Sequence, residues 1–150
     1  MTCRQSIPER WSIVSGKLDP EDWKKIFRQP PGSGLLLIER PSAANLRRLR
    51  VAARLRRLTI VCESPGVSAR VHNGRELRQA LLQRCSLILL SPIYVTNSHP
   101  DWKALPRMRA ATLSRLAGRE LLALGGMNAR RYRVIAPLGF TGWAGITAWN

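Results

Sequence analysis

The sequence predicts an α/β fold of the TIM-type (β/α)-barrel class, shortened to about seven parallel strands. Short apolar runs alternate along the chain with stretches of helical periodicity, and runs such as Leu87–Leu90 are apolar on both faces. Strands buried on both faces and separated by helices form parallel sheets covered by helices. The chain of 150 residues fits a single domain, residues 1–150, whereas a full barrel usually needs about 200 or more.

The first half of the chain predicts three strands and two helices. The strands are predicted at residues 11–15, 34–38 and 58–62. Asp19 and Pro20 supply an N-cap and a first helical position for a helix that reaches about residue 28. Ser42 can cap a second helix that ends near residue 57. The third strand is rich in β-branched residues, which favour strands.

The second half predicts four more strands, which gives seven at most. These strands are predicted at residues 67–71, 87–90, 120–124 and 143–148. Asn73 and Glu76 have capping-box spacing and open a helix after the fourth strand. A further helix is predicted at 108–116, and Asn128 caps a short helix that ends at residue 135. Strand order alone does not separate a barrel from an open doubly wound sheet.

The net charge of +16 is almost entirely due to arginine, and it predicts attraction to anions. Nucleic acid and phosphorylated metabolites are two candidate partners, and arginine that simply covers solvated helix faces is the third interpretation. Nucleic acid ranks lowest, because the arginines form no single run and lack interleaved aromatic residues for base stacking.

The chain lacks the sequence signals of a membrane, secreted or zinc-binding protein. No apolar run approaches the roughly 20 residues that cross a bilayer, and residues 1–10 are polar, so we expect no membrane partner and a cytoplasmic location. Cys3, Cys62 and Cys85 are widely spaced and predict reduced thiols. His72 and His99 show no paired-ligand spacing with them, which argues against zinc.

Polar or glycine-rich segments follow the last three predicted strands. Thr96, Ser98 and His99 lie in the loop after the 87–90 strand. Gly125-Gly126 ends the next strand directly before a capped helix, where backbone N–H groups and the helix dipole suit phosphate. The last strand carries Ile146-Thr147 near its end. In (β/α) barrels the loops after the last two strands commonly form a phosphate site, so the sequence predicts one here.

These three segments carry a family resemblance. Ser-Pro-Ile-Tyr-x-Thr-x-Ser-His-Pro, Ala-Leu-Gly-Gly-Met-Asn and Gly-Phe-x-Gly-Trp-Ala-x-Ile-Thr-Ala, in this order, resemble the last three strand ends of thiamine phosphate synthase and TenI-like proteins. The helix that begins Asn-Gly-Arg-Glu-Leu-Arg-Gln-Ala resembles the helix that precedes them. The match covers residues 67–149 well and is weaker over residues 11–63.

The resemblance implies an enzyme of thiamine biosynthesis that couples thiazole phosphate to a pyrimidine pyrophosphate. The substrate-binding residues that it implies are Thr96, Ser98, Gly125, Gly126, Ile146 and Thr147. His99 would stand in for a basic residue near the pyrophosphate, and Arg40 lies near a second basic position after the second strand. Mg²⁺ and positive side chains would stabilise the departing pyrophosphate, with Glu63 as the metal ligand.

The sequence departs from this family between Cys62 and Val67, where a helix, a strand and a second helix are missing. The lost strand would carry another magnesium-binding carboxylate, so we expect impaired synthase activity. The alternatives are a non-catalytic TenI-like protein that binds a phosphorylated ligand, and a basic nucleic-acid-binding domain. A seven-strand sheet also leaves two edges, which predicts either partial closure by the turn at 64–66 or a homodimer.

Overall fold

The computed structural model of this chain describes residues 7–97, 99–118 and 120–146. The strands are β1 (Arg10–Val14), β2 (Gly34–Leu37), β3 (Thr59–Cys62), β4 (Ser68–Val71), β5 (Leu87–Leu90), β6 (Leu122–Leu124) and β7 (Gly142–Gly145). The helices are α1 (Pro20–Arg28), α2 (Ala43–Arg56), α3 (Gly74–Leu82), α4 (Arg107–Ala117) and α5 (Ala129–Ile135).

The seven strands form one sheet in the order β3-β2-β1-β7-β6-β5-β4. Every pairing is parallel, as the apolar character of the strands predicts. Neighbours in the sheet are neighbours in sequence, and β1 lies beside β7, which is the circular order of a barrel opened between β3 and β4. A doubly wound sheet would instead reverse its strand order at a switch point. The shortened barrel-type fold is therefore confirmed.

The sheet is curled, and side chains on its inner face form a separate buried core. Trp11 and Ile13 of β1, Leu36 of β2 and Leu89 of β5 belong to one buried cluster, although β2 and β5 lie four places apart in the sheet. Trp11 fills much of this space. A Cβ atom on Gly34 would lie only 2.1 Å from its ring, so the indole packs directly over the Gly34 backbone.

Two further apolar clusters lie between the outer face of the sheet and the helices. One joins α1 and α2 to β1, β2 and β3, and its buried members include Ile26, Leu35, Leu37 and Leu49. The other joins α3, α4 and α5 to the remaining strands, and its buried members include Leu77, Leu90, Leu113 and Trp143. β2 and β5 contribute side chains to the inner cluster and to an outer cluster, so both of their faces are buried. This burial accounts for the continuous apolar sequences of these two strands.

The sheet is open at the seam between its two edge strands, β3 and β4. Residues 63–67 join these strands directly, and no ladder of backbone hydrogen bonds links them in the described residues. Glu63 and Arg70 span the seam with an Oε1–Nε distance of 2.7 Å. β3 contains no buried residue, whereas β2 and β5 are buried throughout. The ion pair does not close the sheet, so partial closure by the turn at 64–66 and the homodimer both stay predictions.

Two predicted strands are too long by two or more residues at one end. β6 begins at Leu122 rather than at residue 120, because the N–H of Leu121 already donates to the Thr141 hydroxyl at 3.2 Å. β7 ends at Gly145, and Ile146 lies in a bend, so the predicted strand to residue 148 was too long within the described part of the chain. Among the described helices, none combines the length and the apolar character needed to cross a membrane.

Candidate phosphate-binding site

The loop after β5 packs along the end of β6. It begins with a cis Ser91-Pro92 peptide bond. The Ile93 N–H donates to the Leu124 carbonyl at 2.9 Å, and the Tyr94 N–H donates to the Gly125 carbonyl at 3.1 Å. The first two segments that the sequence singles out therefore lie together at the carboxyl edge of the sheet.

Gly125 and Gly126 allow this close approach. Both have positive φ angles, 96° and 59°, where a side chain is strained. A Cβ atom on Gly125 would lie 2.9 Å from the Pro92 Cα, and one on Gly126 would lie 2.6 Å from the Val95 carbonyl oxygen. The missing side chains therefore accommodate the loop after β5, and a ligand that uses these amides must approach from another side.

The end of β7 lies beside the end of β6. Leu124 pairs with Ala144 in the parallel register, so Gly125-Gly126 and Ile146 follow neighbouring strands at the same edge. Ile146 is 52% exposed. Ser98 and Thr147, the two other predicted hydroxyl ligands, lie outside the described residues. The parallel register thus brings Gly125, Gly126 and Ile146 to one edge.

Thr96 and His99 face each other across a tight turn. The His99 N–H donates to the Thr96 Oγ1 at 3.1 Å, so the Thr96 hydroxyl holds the turn together. The exposed His99 ring stacks on Trp102, with 4.6 Å between ring centroids and an interplanar angle of 19°. Both predicted residues therefore lie in the loop that packs on β6.

His72 is a site residue that the sequence analysis considered only as a zinc ligand. It directly follows β4, and its Nδ1 lies 2.9 Å from the Ser91 carbonyl oxygen and 3.2 Å from the Ser91 hydroxyl. Its ring meets Trp102 edge-on at 5.1 Å. Trp102 is thus held between two histidines, beside the loop after β5. The sequence feature that could have indicated His72 is its position directly after a predicted strand.

Arg131 is a second residue that the sequence analysis missed. Its guanidinium lies over the Tyr94 ring at 4.7 Å and donates to the Gly126 carbonyl. These contacts place a fixed positive charge beside the glycine turn. The sequence feature that could have indicated Arg131 is its position in the first turn of the helix capped by Asn128. The Asn128 Oδ1 accepts a hydrogen bond from the Arg131 N–H at 2.8 Å.

Arg40 and Glu63 lie on the other half of the sheet. Arg40 is exposed, three residues beyond β2. Glu63 forms the ion pair with Arg70 across the seam. The described residues contain no group of three or more histidine, cysteine or acidic side chains placed to hold a metal. Glu63 is a single carboxylate, and Arg70 already balances its charge, so it does not form a Mg²⁺ site by itself. Binding of Mg²⁺ stays a prediction, and it depends on further oxygen ligands from the phosphates of a substrate.

Two open hollows lie at the opposite, amino edge of the sheet. One, of about 550 Å³, is lined by residues that include Glu9, Arg10, Tyr132 and Trp143. The other, of about 590 Å³, is lined by residues that include Arg54, Arg57 and Thr59. Burial raises the pKa of Tyr132, and the charge of Glu9 raises it further. The sequence predicts no ligand at this edge.

In comparisons with known proteins, no protein-family model matches this chain, and no curated protein gives a significant match. The functional assignment therefore depends on the residues of the chain and their geometry.

Proposed function

We propose that this protein is a shortened thiamine phosphate synthase/TenI-like protein that binds thiazole phosphate at the carboxyl edge of β5, β6 and β7. One observation supports this proposal above all others. The loop after β5 is hydrogen bonded to the end of β6, whose register with β7 brings the Gly125-Gly126 turn and Ile146 to the same edge. The three segments that carry the resemblance are therefore neighbours in the fold.

The chemistry of this edge suits a phosphate group. Backbone N–H groups of Gly126 and Ile146 are the proposed donors, and Thr147 is a further ligand that the resemblance implies. Arg131 adds a guanidinium next to Gly126. Hydrogen bonds from charged donors to a phosphate are shorter and stronger than neutral ones, so Arg131 would contribute much of the affinity. Thr96, Ser98 and His99 would then face the heterocycle and the second substrate.

Condensation of thiazole phosphate with the pyrimidine pyrophosphate is the catalytic half of the proposal. His99 and Arg40 are the basic residues proposed to act on the pyrophosphate, and Mg²⁺ would supply further positive charge when bound. The ion pair of Glu63 with Arg70 favours the second candidate function, a non-catalytic TenI-like protein that binds the phosphorylated ligand alone. A cytoplasmic location belongs to both proposals.

Isothermal titration with thiazole phosphate tests the binding proposal. We expect saturable binding by the native chain, and a loss of about 10- to 150-fold in Arg131→Gln, because a hydrogen bond to a charged group contributes about 1.5–3 kcal/mol. Arg130→Gln is the matched control, since Arg130 is an exposed arginine in the same helix turn. Equal affinity of the two variants, or no binding by the native chain, would refute the proposed site.

A condensation assay with both substrates and Mg²⁺ then separates the two candidate functions. Product formation that is lost in Glu63→Gln supports the synthase. Binding of thiazole phosphate without product formation supports the non-catalytic protein. The nucleic-acid alternative predicts instead a binding constant for DNA or RNA that falls steeply with salt, because each neutralised phosphate releases counterions.

A further inference from the structure

The outward face of α2 combines arginine with exposed apolar side chains. The helix contains five arginines and no acidic residue. Arg47, Val51, Arg54 and Leu55 follow the spacing of one helix face, opposite the buried Leu49. Val51 is 59% exposed and Leu55 is 78% exposed, more than most apolar residues of the chain.

α1 extends this face. The Arg48 guanidinium lies 4.7 Å from the Trp23 ring centroid, and the Arg56 Nη2 donates to the Gln29 carbonyl at 2.6 Å. These two contacts fix α1 beside α2 along the stretch that contains Phe27. Phe27 stacks on Trp23 with ring centroids 6.0 Å apart, and it is 52% exposed. Phe27 therefore adds an exposed aromatic side chain on the helix that lies beside α2.

We define the α1–α2 outer face by three exposed apolar and three exposed basic side chains. They are Phe27, Val51, Leu55, Arg47, Arg50 and Arg54. The acidic residues of α1 do not neutralise this face. Glu21 pairs with Lys24 at 2.6 Å, and Asp22 is buried, where it accepts from the Ser15 hydroxyl.

We propose that the α1–α2 outer face binds the surface of an anionic lipid membrane. A helix that lies on a membrane presents large apolar side chains to the acyl boundary and arginine or lysine to the headgroups. Each basic side chain near an anionic leaflet contributes about 1 kcal/mol of attraction. The α1–α2 outer face supplies both kinds of group within two adjacent helices. This contact is peripheral, so it needs no membrane-crossing segment. It replaces the expectation of no membrane partner, which rested on the lack of such a segment. It also leaves the carboxyl edge of the sheet free.

Other occupants fit this face less well. A second copy of the chain would bring the same arginines against each other, and the chain already carries a net charge of +16. A nucleic-acid backbone would pair with Arg47, Arg50 and Arg54 but would leave Val51 and Leu55 against phosphate. A surface with anionic groups above an apolar layer satisfies both sets of side chains.

In the described residues of α3, α4 and α5, the exposed large apolar side chains within each helix stand alone or about two turns apart. Leu82 of α3 is 75% exposed and is the sole large apolar residue on the exposed face of its helix. Met108 and Leu116 of α4 lie about two turns apart, with the polar Thr112 between them. Leu82 is therefore a matched control for Leu55, since the two side chains are leucines of nearly equal exposure.

Co-sedimentation with lipid vesicles tests this proposal. The intact protein is mixed with vesicles of phosphatidylcholine, or of phosphatidylcholine with phosphatidylglycerol. We expect binding to the anionic vesicles that weakens as salt rises. Leu55→Gln should lower the partition coefficient about tenfold, because the leucine no longer enters the acyl boundary. Leu82→Gln should leave it unchanged, and both variants should fold, because both side chains are exposed.

Three results would overturn the proposal. They are no binding to anionic vesicles, equal binding to both lipid compositions, and an equal loss in Leu55→Gln and Leu82→Gln. A parallel titration with labelled duplex DNA covers the main competitor. Tight DNA binding that Leu55→Gln does not change, without vesicle binding, would assign the arginines to nucleic acid instead. None of these outcomes depends on thiazole phosphate, so the membrane proposal and the proposed function fail separately.

Discussion

Substituting Gly34 by alanine should destabilise the curled sheet by overfilling its inner face. The added Cβ would lie 2.1 to 2.4 Å from three atoms of the Trp11 indole, far inside van der Waals contact. Trp11 is 1% exposed, and its Nε1 donates to the Pro8 carbonyl at 2.7 Å, so the ring has little room to move. Forcing extra atoms into a packed core costs about 1–3 kcal/mol, and losing a buried tryptophan costs about 3–5 kcal/mol. We therefore expect a loss of about 2–4 kcal/mol.

Urea denaturation followed by far-ultraviolet circular dichroism measures this loss. Gly74→Ala is the control, because its nearest neighbour outside its own helix would be the Leu113 Cδ2 at 3.6 Å, an ordinary contact. It should leave stability unchanged or raise it slightly, since alanine favours a helix over glycine. The cost of Gly34→Ala should also shrink in a Trp11→Leu background, as contacting residues couple. A Gly34→Ala midpoint equal to that of the native protein would refute the packed inner face.

Three further measurements address the seam, a helix cap and a buried hydroxyl. Glu63→Gln should cost less than about 1 kcal/mol in urea denaturation, because its ion pair with Arg70 is partly exposed, and the cost should fall at high salt. Asn73→Ala should cost about 1 kcal/mol in the same assay, since the Asn73 side chain accepts from the Glu76 N–H at 2.9 Å. The raised pKa of Tyr132 means that the native state holds this proton more tightly than the unfolded state, so stability should decline as pH rises above about 10. Tyr132→Phe should make that decline shallower, and an unchanged slope would contradict the assignment.

The helix starts could be predicted from sequence because their causes are local. Asp19, Ser42, Asn73 and Asn128 each accept a hydrogen bond from a backbone N–H three residues further along the chain. Such a pattern needs only the cap residue and the first helical turn. The number of strands and their parallel direction were predictable for a similar reason, since most of the strands are short apolar runs bounded by turn residues.

The contacts that shape the candidate site depend on distant residues, so the sequence did not predict them. From the sequence, Gly125 and Gly126 are expected to let a ligand approach the backbone, whereas the structure shows the loop after β5 packed against both. The stacking of Arg131 on Tyr94 joins a helix to that loop, and no spacing rule in the sequence reports such a contact. The same holds for the Glu63–Arg70 pair, because it depends on how far the sheet curls.

An amide chemical-shift titration of the ¹⁵N-labelled protein with thiazole phosphate tests the central claim most directly. If the carboxyl edge of β5, β6 and β7 binds the ligand, the amide signals of Gly125, Gly126 and Ile146 should shift together and saturate at one affinity. Shifts confined to Arg54, Arg57 and Thr59 at the amino edge, or no saturable shift at all, would contradict it.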